Sequence, residues 1–387
     1  MPLSRRSFVR TVGLGGAGML TAPLIGARGR EALAAELRAG AGIGVVEPTA
    51  LAAGVIRLSS NENPRGPCAA ALRGLQGALG EASRYPFAPP EALRTAIAAA
   101  HGVSIENVLL GCGSTEVLRM AVDACTSRTR PLVTAAPTFE EPAARAAVIG
   151  TPVRAVRVDA DLRLDLAGMT AAARGAGLVF VNNPNNPTGT LHPARAIADF
   201  VRRTQAAAPA ATILIDEAYH EYVEDPAHAT AIPIALERPR VVVSRTFSKV
   251  YGLAGLRIGY AIGRKETLQA LARHQLSMDV NVLAAAAARA ALTDRTLVAR
   301  EQRLNHEARD FTRRFFERAG YAVAPSQANF LMIDIRRDAK AFQDACGTRD
   351  VLVGRPFPPL GTHTRISIGT MDEMRAATEV FRRVLAS

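Results

Sequence analysis

Short apolar runs recur along this chain, with helix-period stretches between them. Asn107–Gly111, Pro131–Thr134, Val153–Val158, Gly177–Val181, Ala211–Ile215, Arg240–Val243 and Arg257–Ile262 each read as a strand. Pro90–Ala100, opening on proline, Thr115–Cys125, Pro193–Gln205 and Lys265–His274 read as helices. Alternating strands and helices imply an α/β fold with a mostly parallel sheet and helices on both faces. An Ala-rich helix at Leu283–Leu292 leads into a second at Arg295–Ala319. From Tyr321 the pattern turns to short strands (Asn329–Ile335, Val351–Val353, Thr364–Ile368) and helices (Arg337–Ala345, Asp372–Leu385). That tail predicts a smaller α+β domain. The expected organisation is an N-terminal arm and part of the small domain over 35–80, a large domain over 81–293 and a C-terminal small domain over 294–387. Leu58 to Pro67 is rich in Ser, Asn and Pro, so residues 36–80 read as mostly loop.

Composition narrows the function classes. With 387 residues, 48% hydrophobic and 21% charged, the chain has room for one large or two ordinary packed domains. Its formal charge is +12, but the arginines are spread without a basic block, and Trp is absent. Neither a nucleic-acid footprint nor stacking platforms for single strands are visible; attraction for small anions is the milder reading. Cys68, Cys112, Cys125 and Cys346 fall at irregular spacings without CxxC, which reads as free thiols with one disulfide left open. The seven histidines are unclustered, and no metal site is expected.

Residues 1–34 differ in kind. Ser4-Arg5-Arg6-Ser7-Phe8-Val9-Arg10 is a twin-arginine pattern, followed by a Gly-rich apolar stretch from Thr11 to Ala27 and small residues at Ala32–Ala35. This reads as an export signal whose apolar part is too short and glycine-rich for a stable membrane span. The expectation is a periplasmic or otherwise exported protein, or a cytoplasmic one if the signal does not function.

Lys249 is one of three lysines among 47 Lys plus Arg. It stands next to last in the run Arg240–Val250 and is followed by Gly252, Gly255 and Gly259. A chain this biased toward arginine keeps lysine where an amine must lose its proton, which guanidinium does not do. Schiff-base chemistry has that requirement. Polar residues gather after other strands too: Gly111–Glu116, Asn182–Gly189 and Asp216–Tyr219. Ligands in open α/β sheets bind at those carboxyl ends.

The motifs Ser60-Asn61-Glu62-Asn63-Pro64, Arg84-Tyr85-Pro86, Asn186-Pro187-Thr188-Gly189, Asp216-Glu217-Ala218-Tyr219, Ser248-Lys249 with Gly255–Gly259, and Thr364–Gly369 occur in that order. On them the chain resembles the fold-type I pyridoxal-phosphate aminotransferases, within them the histidinol-phosphate aminotransferase-like group, over roughly residues 55–380. The resemblance implies a large domain with a seven-stranded, mostly parallel sheet and a smaller α+β domain. It also implies a homodimer acting on an amino acid and a 2-oxo acid.

By the same resemblance Lys249 carries the cofactor as a Schiff base and moves the substrate α-proton, while Asp216 pairs with the pyridine nitrogen. Asn186 and Tyr219 address the ring's phenolic oxygen, and Phe139 stacks on the ring. Gly113, Ser114 and Thr115 at a helix start, with Thr246, Ser248 and Arg257, hold the phosphate. Tyr85 reaches a phosphate across a dimer interface, Arg365 clamps the substrate carboxylate, and Asn63 lies near the substrate. A decarboxylase or lyase of the threonine-phosphate decarboxylase type is the alternative reading. Two departures bear on the substrate. Pro142 stands where many members carry an aromatic residue, and Ser277-Met278-Asp279-Val280 replaces a segment that often holds Pro plus an aromatic.

Overall fold

The computed structural model describes residues 54–386. In chain order the elements are β1 (Ile56–Leu58), α1 (Ala69–Gly77), α2 (Ala88–His101), β2 (Val108–Cys112), α3 (Gly113–Cys125), β3 (Leu132–Ala136), α4 (Glu141–Val148) and β4 (Val153–Arg157). Then come α5 (Leu166–Ala172), β5 (Leu178–Asn182), α6 (Ala194–Ala207), β6 (Thr212–Asp216), α7 (Ile232–Glu237), β7 (Val241–Thr246), β8 (Ile258–Gly263) and α8 (Lys265–Ala272). The chain ends with α9 (Val282–Ala291), α10 (Leu297–Arg318), β9 (Ala322–Val323), β10 (Phe330–Asp334), α11 (Ala339–Gly347), β11 (Val351–Val353), β12 (His363–Ser367) and α12 (Met371–Ala386). The export-signal reading falls on residues 1–34, outside the described residues.

The large sheet has seven strands in the order β2-β8-β7-β6-β5-β3-β4, with β8 antiparallel to both neighbours and the other pairs parallel. Its strands are near-continuous apolar runs because both faces are covered. Val241 and Val243 join one buried cluster, with residues of α2, α6 and α9, while Val242 joins the other, with residues of α3 and α8. The same alternation splits Val179 and Val181 from Leu178 and Phe180. A third cluster gathers Leu58, Phe316, Ile333, Phe342, Ile366 and Phe381 around the three-stranded sheet β12-β10-β9 and the parallel pair β1-β11.

Residues 54–80 carry more regular structure than their composition suggests. β1 pairs with β11, so Leu58 belongs to the small core, whereas α1 packs on α9 and Ala71 belongs to the large one. A Cβ on Gly74 would lie 2.7 Å from Ala290 Cβ, so small residues on both helices permit that contact. All four cysteines are free.

Candidate active site

Parallel strands stop where their polar residues begin, and this places Asp216 and Lys249 side by side. Asp216 closes β6 and is buried. Ser244 Oγ donates to its Oδ1 at 2.8 Å and Asn182 Nδ2 to its Oδ2 at 3.2 Å. Burial raises this carboxyl to about 6; the Ser244 hydrogen bond and the Lys249 charge oppose the rise, and Glu217 adds to it.

Lys249 leaves the turn after β7. Its Nζ donates to the Asn61 carbonyl at 3.1 Å and lies 5.6 Å from the centre of the Tyr219 ring. Burial lowers its ammonium to about 8, with Arg365 and Arg257 pushing the same way and Glu62 and Asp216 opposing. The amine is therefore poised to be neutral in part at neutral pH, which a nucleophile and proton acceptor requires.

Asn61 is held with φ of 53°, a left-handed conformation that asparagine tolerates. Its backbone N–H donates to Ser367 Oγ at 2.8 Å, and its Nδ2 donates to the Tyr219 hydroxyl at 3.1 Å. Tyr219 is buried, edge-on to Phe330 at 5.1 Å, and burial pushes its phenol up to about 12.

A cup of donors lies at the start of α3. Gly113 has φ of 73°, and a Cβ there would sit 2.3 Å from Arg257 Nη2. A Cβ on Gly259 would lie 2.2 Å from Ser114 N. Only glycine at both places allows the Arg257 guanidinium and β8 to lie against the first turn of the helix. Arg257 reaches Thr115 Oγ1 and Ser248 Oγ at 3.4 Å each, and Thr246 Oγ1 donates to Ser248 Oγ at 3.0 Å. Hydroxyls, a guanidinium and helix-start N–H groups converging at one point suit a phosphate dianion.

Arg365 enters from the small domain. Its Nη1 donates to Asn186 Oδ1 at 2.7 Å and its Nη2 to the Ser59 carbonyl at 2.5 Å. Its Nε is buried without a hydrogen-bond partner, a donor left over for a ligand acceptor. Burial holds this guanidinium down to about 10.

Gly113, Ser114, Thr115, Asn186, Asp216, Tyr219, Thr246, Ser248, Lys249, Arg257 and Arg365 are thus brought together by the contacts above and by their places at neighbouring strand ends, and Phe139, half-buried, follows β3 at the same sheet edge. Two expectations fare differently. Asn63 is committed elsewhere: its Nδ2 donates to the Val250 carbonyl and Glu301, and its Oδ1 accepts from Arg65 N. Asn61, two residues earlier, meets Lys249 through its backbone carbonyl and Tyr219 through its side-chain amide. Tyr85 is 74% exposed and touches the ring of Phe87, itself 70% exposed. Sequence reasoning placed Asn182 in a polar run without a role and missed Ser244; both orient Asp216, Asn182 from the end of β5 and Ser244 from within β7. It also missed the buried Arg245, paired with Glu217 at 2.7 Å and Glu221 at 3.0 Å.

Residues 53–381 match the family model for class I and II aminotransferases. The chain is 37% identical over 337 residues to the histidinol-phosphate aminotransferase of Moorella thermoacetica, covering 86% of each protein. It is 36% identical over 337 residues to histidinol-phosphate aminotransferase 2 of Pseudomonas aeruginosa, covering 86% of this chain and 90% of that one. Among solved structures, the histidinol-phosphate aminotransferase of Sinorhizobium meliloti in complex with pyridoxal-5'-phosphate superposes with a TM-score of 0.80 at 30% identity, covering 86% and 91% of the two chains.

Proposed function

The chain belongs to the class I and II aminotransferase family, and we propose that this cleft moves an amino group from an amino acid to a 2-oxo acid with pyridoxal phosphate as cofactor. One observation carries the reading: a partly neutral amine (Lys249), a buried carboxylate (Asp216) and a guanidinium with an unpartnered Nε (Arg365) come together beside the cup of donors at the start of α3. When bound, the cofactor supplies an aldehyde for the amine and a ring that accepts the electrons of a broken bond at the substrate's α-carbon.

This chain's residues do the rest. Asp216, fixed by Ser244 and Asn182, would face the pyridine nitrogen and keep it protonated. Asn186 and Tyr219 would address the phenolic oxygen, and Phe139 the face of the ring. The α3 cup would hold the phosphate through Ser114, Thr115, Thr246, Ser248 and Arg257. Lys249 Nζ would take the substrate's α-proton and return it one carbon away. Arg365 Nε and Nη2 would grip the substrate carboxylate in a fork. A carboxylate so held is retained, which disfavours the lyase alternative.

Exposed Tyr85, Phe87, Leu276 and Met278 support a homodimer, because Phe87, Leu276 and Met278 line one surface cavity of about 620 Å³. Tyr85 would then reach the partner's phosphate cup. The twin-arginine pattern supports export of the folded, loaded enzyme. A screen of amino donors on the purified protein tests the activity, with histidinol phosphate, aromatic amino acids, aspartate and alanine as probes. Turnover of none of a broad panel would overturn the reading.

A further inference from the structure

Two guanidiniums share the ring of Phe357. Arg355 lies 4.4 Å from its centre and Arg365 lies 4.8 Å away. The close approach is built into the backbone. Gly354 N donates to the Arg365 carbonyl at 2.8 Å, and a Cβ on Gly354 would come within 2.6 Å of that oxygen. Glycine at 354 therefore lets the β11–β12 connection lie against Arg365 and sets Arg355 at the same end of the cleft.

The two cations differ in what they face. Arg365 is buried, its Nε unpartnered. Arg355 is half-exposed, and its Nη2 donates to Glu140 Oε2. Glu140 directly follows Phe139 and precedes α4, so this ion pair joins the large-domain edge of the cleft to the small-domain loop. Both partners act on Arg365, Arg355 lowering its pKa and Glu140 raising it, which puts the pair within electrostatic reach of the carboxylate clamp. An anion approaching the two arginines thus meets one uncompensated cation.

We infer that Glu140 is a specificity-determining residue: as the internal counter-ion of Arg355, it restricts the substrate to a single anionic group, the carboxylate at Arg365, and to a side chain without charge. A second carboxylate or a phosphate on the substrate would have to displace Glu140 from Arg355 and then lie beside it, where like charges repel. This rests on the reading of Arg365 as the substrate carboxylate clamp.

The test compares kcat/KM for dicarboxylic donors (aspartate, glutamate) and a phosphorylated amino alcohol with that for uncharged donors such as alanine, leucine and phenylalanine. In Glu140→Gln the ratio of anionic to uncharged donors should rise roughly two- to fivefold, the scale of one freed charge contact at a partly exposed site. Glu140→Gln with Arg355→Gln should return the ratio to the wild-type value, and Arg355→Gln alone, which leaves Glu140 without its counter-ion, should lower it. A wild-type enzyme that prefers the dianionic donors, or a ratio unmoved by Glu140→Gln, would overturn the inference. So would a ratio that rises in Arg355→Gln. Wild-type turnover of the uncharged donors is the control: its absence would count against the aminotransferase reading itself.

Discussion

Arg365 and Asn186 meet through a 2.7 Å hydrogen bond that ties β12 of the small domain to the loop after β5 of the large one. The contact positions the guanidinium with Nε without a partner and a second N–H left on Nη2 beside its bond to Ser59. Lysine at 365 could keep the charge but neither the Asn186 bond nor the fork. Arg365→Lys should lower kcat/KM for amino donors by roughly tenfold to a hundredfold, the value of a lost charge-assisted hydrogen bond or two. The visible spectrum of the bound cofactor should be retained. Steady-state kinetics on the loaded variant checks this; unchanged kcat/KM would remove Arg365 from the substrate site.

Gly113→Ala tests the phosphate cup without touching the chemistry. The added methyl meets Arg257 at a positive φ, so the guanidinium must swing away from the helix start. Cofactor dissociation, followed by equilibrium dialysis, should increase by tenfold or more while the unfolding transition moves little. Unaltered affinity would place the phosphate elsewhere.

Lys249 carries a pH signature. Its folded pKa, lowered to about 8 by burial and by Arg365, means that the neutral amine accumulates as pH rises through 7–9 rather than near the ordinary lysine value. The rate at which cofactor-free protein captures pyridoxal phosphate should climb across that window with a midpoint near 8. Stopped-flow absorbance gives the profile. A midpoint above 10 would mean an amine in an ordinary aqueous setting.

Much of this was legible because physics wrote it locally. Val241-Val242-Val243 is apolar on consecutive positions since alternate side chains enter opposite cores, and the register of the sheet follows. Lys249 stood out against an arginine-rich background. What stayed hidden depends on partners far along the chain. α1 is helical where composition suggested loop, and its Gly74 lies against Ala290. Whether Asn61 or Asn63 turns into the cleft is decided by the φ of Asn61 and by Ser367 and Glu301, hundreds of positions away. Glu140 and Arg355 are separated by 215 residues, and no motif couples them.

Arg245 anchors a buried ion-pair network directly after Ser244. It is buried between Glu217 and Glu221, and its charge holds the Glu217 carboxyl below the usual carboxylate range against burial. Arg245→Met would strand two buried carboxylates, at a cost of about 3–5 kcal/mol. In the variant, burial would raise those carboxyl pKa values, so the folded state would bind more protons than the unfolded one. Stability should then recover in part as pH falls from 7 to 5, the opposite of the wild-type contribution from Glu217. Denaturant titrations at the two pH values decide it; a loss under about 1 kcal/mol would show the network to be dispensable.

The central claim is a two-stage exchange in which Lys249 moves a proton and Arg365 retains the carboxylate. It is tested most directly in half-reactions on the cofactor-loaded protein. With an amino donor and no acceptor, the visible absorbance of the lysine-bound cofactor should disappear as one equivalent of 2-oxo acid per chain is released. Adding a different 2-oxo acid should restore the absorbance and yield one equivalent of its amino acid. In Lys249→Ala both stages should slow by at least 10²–10⁴-fold, the worth of the general base alone. Release of carbon dioxide without a 2-oxo acid, or a first stage as fast in Lys249→Ala as in the wild type, would contradict the account.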